Sequence, residues 1–194
     1  FAGTNPLMNS RMSGSEEDLA TLSWGRIGSR RNARVLIGGL GMGFTLRAAL
    51  AAMPADVRIG VVELVPEIVA WARGPLAPLF AGCLDDPRVD IEVTDVAAVI
   101  GRARAAYDAI LLDVDNGPEG LSRDGNDGLY TLPGLARAKA ALTPGGVLAT
   151  WSAHPDERFT RRLSKAGFAA EAVRVRARHG GRGARHTIWL ATRR

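Results

Sequence analysis

Short apolar runs alternate with amphipathic segments along most of the chain. The apolar runs have the length of β-strands and lie at residues 35–37, 58–63, 89–94, 107–113 and 147–151. Apolar residues at helical spacing separate them, at residues 44–53, 67–73, 96–105, 132–142 and 155–166. This alternation predicts strand–helix–strand crossovers, and therefore a mostly parallel sheet with helices on both faces.

The C-terminal part has a different pattern. Residues 168–178 and 186–191 are two further strand-like segments, and glycines lie between them. Arg174, Arg176 and Arg178 alternate with small apolar residues, which is the period of a strand with one face in water. We expect an antiparallel hairpin here, at the edge of a doubly wound α/β sheet of seven strands.

Two units follow from this pattern. Residues 1–33 are polar and predict an irregular N-terminal segment, with a short acidic helical stretch near residues 15–20. Residues 34–194 predict one α/β domain, long enough to bury a single core. The chain does not begin with methionine, which is consistent with a fragment.

The net charge of +5 comes from one segment of the chain. Residues 174–186 contain five arginines and no acid, so the rest of the chain sums to zero. One interpretation is a nucleic-acid-binding patch, and the other is a solvated strand face followed by a loop. The absence of interleaved aromatic residues disfavours nucleic acid and favours the strand face.

Other function classes are excluded by composition. No apolar run reaches 18 residues, so we expect no membrane-spanning segment. Cys83 is the single cysteine, which excludes an internal disulfide and a cysteine-based metal site. No signal peptide is visible at the N-terminus, and a cytoplasmic location is therefore expected.

A glycine-rich turn follows the first strand. Gly38, Gly39, Gly41 and Gly43 occur within six residues, between an apolar run and a helical pattern. Strand, glycine turn and helix is how open α/β sheets bring backbone N–H groups against a nucleotide-like ligand. The dinucleotide pattern fails at its last glycine because Phe44 stands there, so a nicotinamide dehydrogenase is the weakest alternative.

Acidic residues end three consecutive strands. Glu63, Asp95 and Asp113 each follow an apolar run, and a parallel sheet places such residues on its carboxyl edge, beside the glycine turn. Glu63 would bind the ribose hydroxyls of a ligand. Asp95 and the backbone N–H of Val96 would lie along its base. Asp113 would face the reacting end.

With these motifs in place, the chain from residue 34 onward resembles the class I S-adenosylmethionine-dependent methyltransferase fold and, within it, the spermidine synthase family. The matching pieces are residues 38–43, 45–47, 62–63, 86–89, 95, 107–113, 117–118 and 143–148. The resemblance implies a Rossmann-like sheet and S-adenosylmethionine or its decarboxylated form as co-substrate, with no metal. It also implies an aminopropyl transfer to an amine, as in polyamine biosynthesis, and leaves a homodimer as one option.

The resemblance assigns roles to residues. The acid matching Glu63 binds ribose, the acid matching Asp95 binds adenine, and the acid matching Asp113 is the catalytic carboxylate near the attacking amine. The second acid of the family's Asp-x-x-Asp motif falls on Asn116, although Asp115 is adjacent and could substitute for it. Tyr130 and Trp151 could line the substrate pocket, and each could equally be a core residue.

Three departures keep the reaction open. The family's glycine loop carries an aspartate that holds the amino end of the decarboxylated co-substrate and would repel the carboxylate of intact S-adenosylmethionine. Gly41 stands at that position, which favours methyl transfer. The family's N-terminal β-domain and its Tyr-Gln pair are not recognisable in residues 1–33. A small-molecule methyltransferase and a non-catalytic nucleoside-binding module therefore stand as alternatives to aminopropyl transfer.

Overall fold

The computed structural model describes residues 13–28, 30–114, 117–118, 127–178 and 182–194. Its strands are β1 (Arg34–Gly38), β2 (Arg58–Glu63), β3 (Val89–Val93), β4 (Tyr107–Leu112), β5 (Leu142–Ser152), β6 (Phe168–Arg178) and β7 (Arg182–Arg193). They form one seven-stranded sheet in the order β3-β2-β1-β4-β5-β7-β6. The first five strands pair in parallel and β7 is antiparallel to both of its neighbours, which confirms the predicted fold class.

Helices connect these strands. They are α1 (Gly14–Ile27), α2 (Phe44–Ala52), α3 (Pro66–Arg73), α4 (Ala77–Phe80), α5 (Val96–Arg102), α6 (Asp127–Tyr130), α7 (Leu132–Ala141) and α8 (Glu157–Lys165). Pro66 lies in the first turn of α3, where its missing N–H and fixed φ are compatible with a helix. In the described part of the chain, no helix is long and apolar enough to span a bilayer.

The strand order reverses between β1 and β4. The chain leaves β1 toward β2 and β3 on one side, then returns across the sheet to β4 and β5 on the other. At such a switch point the two connections leave in opposite directions and open a crevice beyond the carboxyl ends of the strands. The glycine turn after β1 therefore lies at the mouth of that crevice.

The core has two layers, one on each face of the sheet. Alternate residues of β1 divide between them: Val35 and Ile37 join the layer that includes α1 and α2, and Leu36 joins the layer that includes α5, α7 and α8. Each of these three residues is at most 1% exposed. The sheet is thus covered on both sides, which is why its parallel strands read as continuous apolar runs.

The N-terminal part differs from the predicted irregular segment. Helix α1 runs over fourteen residues and packs against α2, β5 and β6. Its Leu19 and Ala20 are fully buried. The helical pattern is masked in the sequence because Ser15 and Ser23, which are polar, share this buried face. Ser23 is accommodated because its hydroxyl donates to the carbonyl of Leu19.

The C-terminal hairpin is present and longer than predicted, since β7 begins at Arg182 and ends at Arg193. Along β6, Val175 and Ala177 are buried, whereas Arg174 and Arg178 are exposed. This alternation agrees with a solvated strand face.

The burial of α1 predicts the stability of one variant. We expect Leu19→Ala to lower the free energy of unfolding by about 2–5 kcal/mol, because it leaves a cavity beneath the helix. Thr21→Ala, on the exposed side of α1, is the matched control and should change stability by less than about 1 kcal/mol. Urea unfolding of both variants measures the difference. Equal and small effects would mean that α1 is not part of the folded core.

Candidate functional site

The turn from β1 to α2 is built on close backbone contacts. The N–H of Gly39 donates to the carbonyl of Val62 at 2.8 Å, and the N–H of Gly43 donates to the carbonyl of Leu40 at 2.8 Å. Gly39 has φ +90°, and a Cβ there would lie 2.4 Å from the carbonyl oxygen of Asp113. Only glycine fits this position, because both the dihedral angle and the space exclude a side chain.

Gly41 and Gly43 complete the turn. Both have positive φ, at 49° and 73°, and Gly43 precedes the first residue of α2. A Cβ on Gly43 would lie 2.6 Å from the ring of Phe80. The backbone of this turn is therefore bare of side chains at its glycines, as contact with a flat or anionic ligand requires.

Glu63 ends β2 directly beside the turn. One carboxylate oxygen accepts from the N–H of Leu40 at 2.9 Å, and the other accepts from the N–H of Val65 at 2.9 Å. Glu63 is 6% exposed, and these two hydrogen bonds fix its carboxylate between two loops. Each oxygen retains a lone pair, so the group can still accept a hydrogen bond from a ligand hydroxyl.

Asp95 and Val96 lie one strand further along the same edge. The side chain of Asp95 caps α5 by accepting from the N–H of Ala97 at 2.7 Å, and the residue is exposed. Val96 is buried and touches the end of β1, since its Cγ2 lies 3.1 Å from the place of a Cβ on Gly38. The cap fixes the direction of the carboxylate at the rim of the crevice.

Asp113 follows β4 on the opposite side of the glycine turn. Its N–H donates to the carbonyl of Gly38 at 3.0 Å, and its Oδ2 accepts from the hydroxyl of Thr45 at 2.9 Å. Burial, and then the negative charge of Glu16, raise the pKa of the Asp113 carboxyl to about 7, against the lowering effect of the Thr45 hydrogen bond. This carboxyl can therefore gain or lose a proton near neutral pH.

The structure thus brings the three acids to one edge. Glu63 and Asp113 flank the glycine turn and contact it directly, and Asp95 lies beyond Glu63 at the start of α5. Their predicted roles toward a ligand stay predictions, but their positions agree with the sequence-based placement.

Sequence reasoning missed three contributors to this site. Thr45 bonds Asp113, and Glu16 approaches it from α1, where the acidic run near residue 15 was the only signal in the sequence. Leu64 follows Glu63 and is 45% exposed, an unusual exposure for a leucine at the rim of a crevice. It offers an apolar surface at this edge of the sheet.

Other predicted residues lie elsewhere. Tyr130 is 3% exposed and packs edge-on against Phe159, with ring centroids 5.7 Å apart, which favours a core role over contact with substrate. Trp151 is partly exposed and packs edge-on against His186 on the α1 side of the sheet. Asp115 and Asn116 lie outside the described residues.

The edge fits a nucleoside better than a metal ion. Within the described ranges, no group of three or more His, Cys, Asp or Glu side chains could hold a metal. The crevice instead combines carboxylate acceptors for hydroxyl and amino groups, a bare backbone turn and an exposed leucine. An adenosine presents hydroxyl groups, an amino group and an apolar ring face, so this set of residues fits it.

The first prediction from this geometry concerns the glycine turn. Gly39→Ala should destabilise the protein strongly and abolish nucleoside binding for two reasons. The new Cβ would clash with the Asp113 carbonyl oxygen, and the φ of +90° is unfavourable for alanine. Gly82→Ala is the matched control, since Gly82 has φ +78° with nothing within 4 Å of its Cβ. In that control the free energy of unfolding should fall by only about 1–2 kcal/mol. Chemical unfolding of the two variants separates steric clash from backbone strain, and equal losses would contradict the clash.

The second prediction concerns Asp113. Between its ordinary pKa of 3.8 and about 7, the folded protein keeps a proton that the unfolded chain releases. The free energy of unfolding should therefore fall as pH rises through this range, by at most about 1.4 kcal/mol per pH unit from this group.

Asp113→Asn removes this dependence. Urea unfolding of both proteins from pH 4.5 to pH 7.5 should give curves that converge at low pH and separate as pH rises, with the wild type losing more stability. The contribution of His186 is common to both proteins and cancels in the difference, which therefore reports on Asp113 together with its coupling to Glu16. Parallel curves would mean that Asp113 ionises normally.

Comparisons with known proteins agree with this geometry. The profile of the spermine/spermidine synthase domain matches residues 15–163, a range that includes nearly all of α1. Putrescine N-methyltransferase 1 of Nicotiana tabacum is 37% identical over 118 residues, which are 60% of this chain and 30% of that protein. Polyamine aminopropyltransferase 2 of Pseudomonas aeruginosa is 38% identical over 120 residues, which are 59% of this chain and 32% of that protein.

Solved structures show the same fold. Spermidine synthase from Thermotoga maritima superposes with a TM-score of 0.75 at 22% identity, over 96% of this chain and 62% of that chain. The CurJ carbon methyltransferase superposes with a TM-score of 0.62 at 15% identity, over 94% of this chain and 54% of that chain. The chain spans about a third of the length of the curated relatives it matches. Since the family profile covers more than half of the chain, this protein belongs to the spermine/spermidine synthase domain family.

Proposed function

We propose that this domain transfers an alkyl group from a sulfonium nucleoside to an amine. The observation that carries the proposal is the position of Asp113, a carboxyl group with a pKa near 7, next to a glycine turn that can hold a nucleoside. The sulfonium group, when bound, supplies an activated carbon and a thioether leaving group. The protein supplies alignment and a site for the proton of the amine.

Each carboxylate then has a distinct task. Glu63, fixed by two backbone N–H groups, accepts hydrogen bonds from ribose hydroxyls. Asp95 accepts from an exocyclic amino group, and the N–H of Val96 meets a ring nitrogen. Asp113 holds the acceptor nitrogen as an ammonium and takes its proton, so that the neutral amine can attack in line.

Aminopropyl transfer is the first candidate for the group that moves. It is supported by membership in the spermine/spermidine synthase domain family and by similarity to aminopropyltransferases such as that of Pseudomonas aeruginosa. In this case the co-substrate would be decarboxylated S-adenosylmethionine, and the acceptor would be a small polyamine.

Methyl transfer from S-adenosylmethionine is the second candidate. It is favoured by Gly41, which leaves the turn without a carboxylate that would repel the carboxylate of the intact co-substrate. The similarity to putrescine N-methyltransferase, at an identity close to that of the aminopropyltransferase, also supports it. Both candidates place the same acids around the same type of nitrogen.

Ligand-induced thermal stabilisation tests the proposal and separates the two candidates. A ligand that binds the folded state raises the melting temperature according to its affinity. We expect methylthioadenosine to raise the melting temperature. We also expect either decarboxylated or intact S-adenosylmethionine to raise it more than the other, and this preference identifies the group transferred. Glu63→Gln should reduce the stabilisation, whereas Glu92→Gln, an exposed residue of β3 paired with Arg102, should not.

Turnover completes the test. With 1,4-diaminobutane as acceptor, mass spectrometry should detect an aminopropylated or methylated product. Asp113→Asn should keep nucleoside binding and lose at least about a hundredfold in rate. Unchanged turnover in that variant would remove Asp113 from the reaction. Nucleoside binding without turnover in the wild type would indicate a non-catalytic binding module instead.

A further inference from the structure

The hairpin of β6 and β7 extends past the carboxyl edge of the sheet. The pairing of β7 with β5 ends where Thr187 lies opposite Ser152, the last residue of β5. In the described register, the part of β7 before Thr187 pairs only with β6, as a two-stranded ribbon. We call residues 174–178 and 182–186 the basic arm. It projects from the same edge of the sheet that holds the glycine turn and Asp113.

The two faces of the basic arm differ. Val175 is buried and belongs to the core layer that includes α1 and α2. The opposite face carries Arg174, Arg176 and Arg178, because successive side chains of a strand point to opposite sides. The register places Arg185 directly opposite Arg176, so it shares this face. Four arginines thus lie together on the side of the arm that faces away from α1.

The root of the basic arm is fixed to α1. The hydroxyl of Ser15 donates to Oε2 of Glu16 at 2.7 Å, and Nδ1 of His186 lies 2.8 Å from the same hydroxyl oxygen. The ring of His186 also packs edge-on against Trp151, with centroids 4.8 Å apart. This chain from Glu16 through Ser15 to His186 holds the arm against the core. The arginine face is therefore a preformed surface that a partner can bind without reordering the strands.

No acid balances the four arginines. Residues 174–186 contain no aspartate or glutamate. The one acid of β6, Glu171, lies on the α1 face of the strand, where it pairs with Arg26. Among the ion pairs of the described residues, none includes any of the four arginines. Their positive charge is therefore uncompensated within the described protein.

Arg176 and Arg185 show what this arrangement costs. Like charges directly opposite each other on two strands destabilise a hairpin, whereas opposite charges stabilise it. Arg176 donates to the carbonyl of Gly183 at 3.2 Å, which does not compensate its charge. A strand face that is only solvated would favour a mixture of both signs. Charges of one sign, held together against their repulsion, indicate an anionic partner.

Three features favour the phosphate backbone of a nucleic-acid duplex as that partner. The full positive charges of residues 174–186 are all arginines, whose planar guanidinium groups bind phosphate oxygens in a bidentate manner. A two-stranded β-ribbon has dimensions that the major groove of a duplex admits. The same segment has no aromatic side chain on which an unpaired base could stack, which disfavours single strands but does not affect phosphate contacts.

We propose that the basic arm is a docking surface for the phosphate backbone of a nucleic-acid duplex. Arg174, Arg176, Arg178 and Arg185 contact phosphates, and these contacts relieve the repulsion between Arg176 and Arg185. The inference goes beyond the proposed function and does not depend on which group is transferred. It adds a polyanionic partner at the edge of the sheet that carries the crevice.

Fluorescence anisotropy with a labelled DNA duplex of about 20 base pairs, two helical turns, measures this binding. Four phosphate contacts predict that the logarithm of the wild-type association constant falls with log[NaCl] with a slope of about −3 to −4 between about 50 and 200 mM. The double variant Arg174→Gln/Arg185→Gln removes two of these contacts. We expect its slope to be smaller in magnitude by about 2, and its affinity at about 50 mM NaCl to be at least about tenfold weaker.

The matched control is Arg58→Gln/Arg104→Gln, which removes the same charge from two exposed arginines at the amino edge of the sheet. It should keep the wild-type slope and bind the duplex within about twofold, because charges far from the arm are screened by salt. The variant of the arm should also melt at or above the wild-type temperature, since it removes one of two opposed cations. Melting curves therefore separate lost binding from lost folding.

Several outcomes would overturn the inference. One is a wild type without salt-dependent duplex binding, and another is an equal loss in the two double variants, which would reflect net charge alone. Tighter binding of the single strand also contradicts it, because phosphate contacts without stacking favour the higher charge density of the duplex. Binding to phosphatidylserine vesicles but not to the duplex would make the arm a membrane-binding surface instead.

The result is independent of the proposed function. Both double variants should keep the thermal stabilisation by methylthioadenosine, because neither changes a residue of the glycine turn or a strand-end acid. Loss of duplex binding with that stabilisation retained concerns the basic arm alone. Failure of methylthioadenosine to stabilise the wild type concerns the proposed function alone.

Discussion

The contact between the ends of β1 and β4 is the constraint on which the site depends. At the switch point of the sheet, the backbone of Gly39 approaches the carbonyl of Asp113 so closely that no side chain fits between them. That approach places the glycine turn and the Asp113 carboxyl in one crevice. It also brings α2, and with it Thr45, into reach of Asp113. A side chain at position 39 would push the two strand ends apart, and the glycine turn and Asp113 would no longer lie in one crevice.

Three carboxylates of similar sequence context have different physical properties at this edge. Glu63 is buried but accepts two backbone hydrogen bonds, which compensate its charge. Asp95 is exposed and caps a helix. Asp113 is half-buried, with the Thr45 hydroxyl as a hydrogen-bond partner and the acid Glu16 nearby, and its pKa is raised to about 7. The same chemical group therefore has three different environments at this edge, and that of Asp113 raises its pKa close to neutrality.

Helix α1 links the core to the carboxyl edge of the sheet at Asp113. Its apolar residues, Leu19 and Ala20 among them, bury the helix against the sheet, and its first turn places Glu16 beside Asp113. The family profile begins at residue 15, in agreement with a structural role for this helix in the domain. The same packing that stabilises the N-terminal part thus places the backbone of Glu16 against Thr45, which is the hydrogen-bond partner of Asp113.

Local patterns in the sequence determined the fold class, the glycine turn and the three strand-end acids. Apolar periodicity is a property of residues close together in the chain, so it can be read from the sequence and defines the strands and helices. Once the strands are parallel, their carboxyl ends must lie at the same edge of the sheet. The role of α1 was not visible, because its buried face carries Ser15 and Ser23 and reads as polar. The sequence left a core and a pocket position open for Tyr130, and the chain from Glu16 to His186 was not visible. These were decided by contacts between residues far apart in sequence, where burial and charge depend on which surfaces the folded chain brings together.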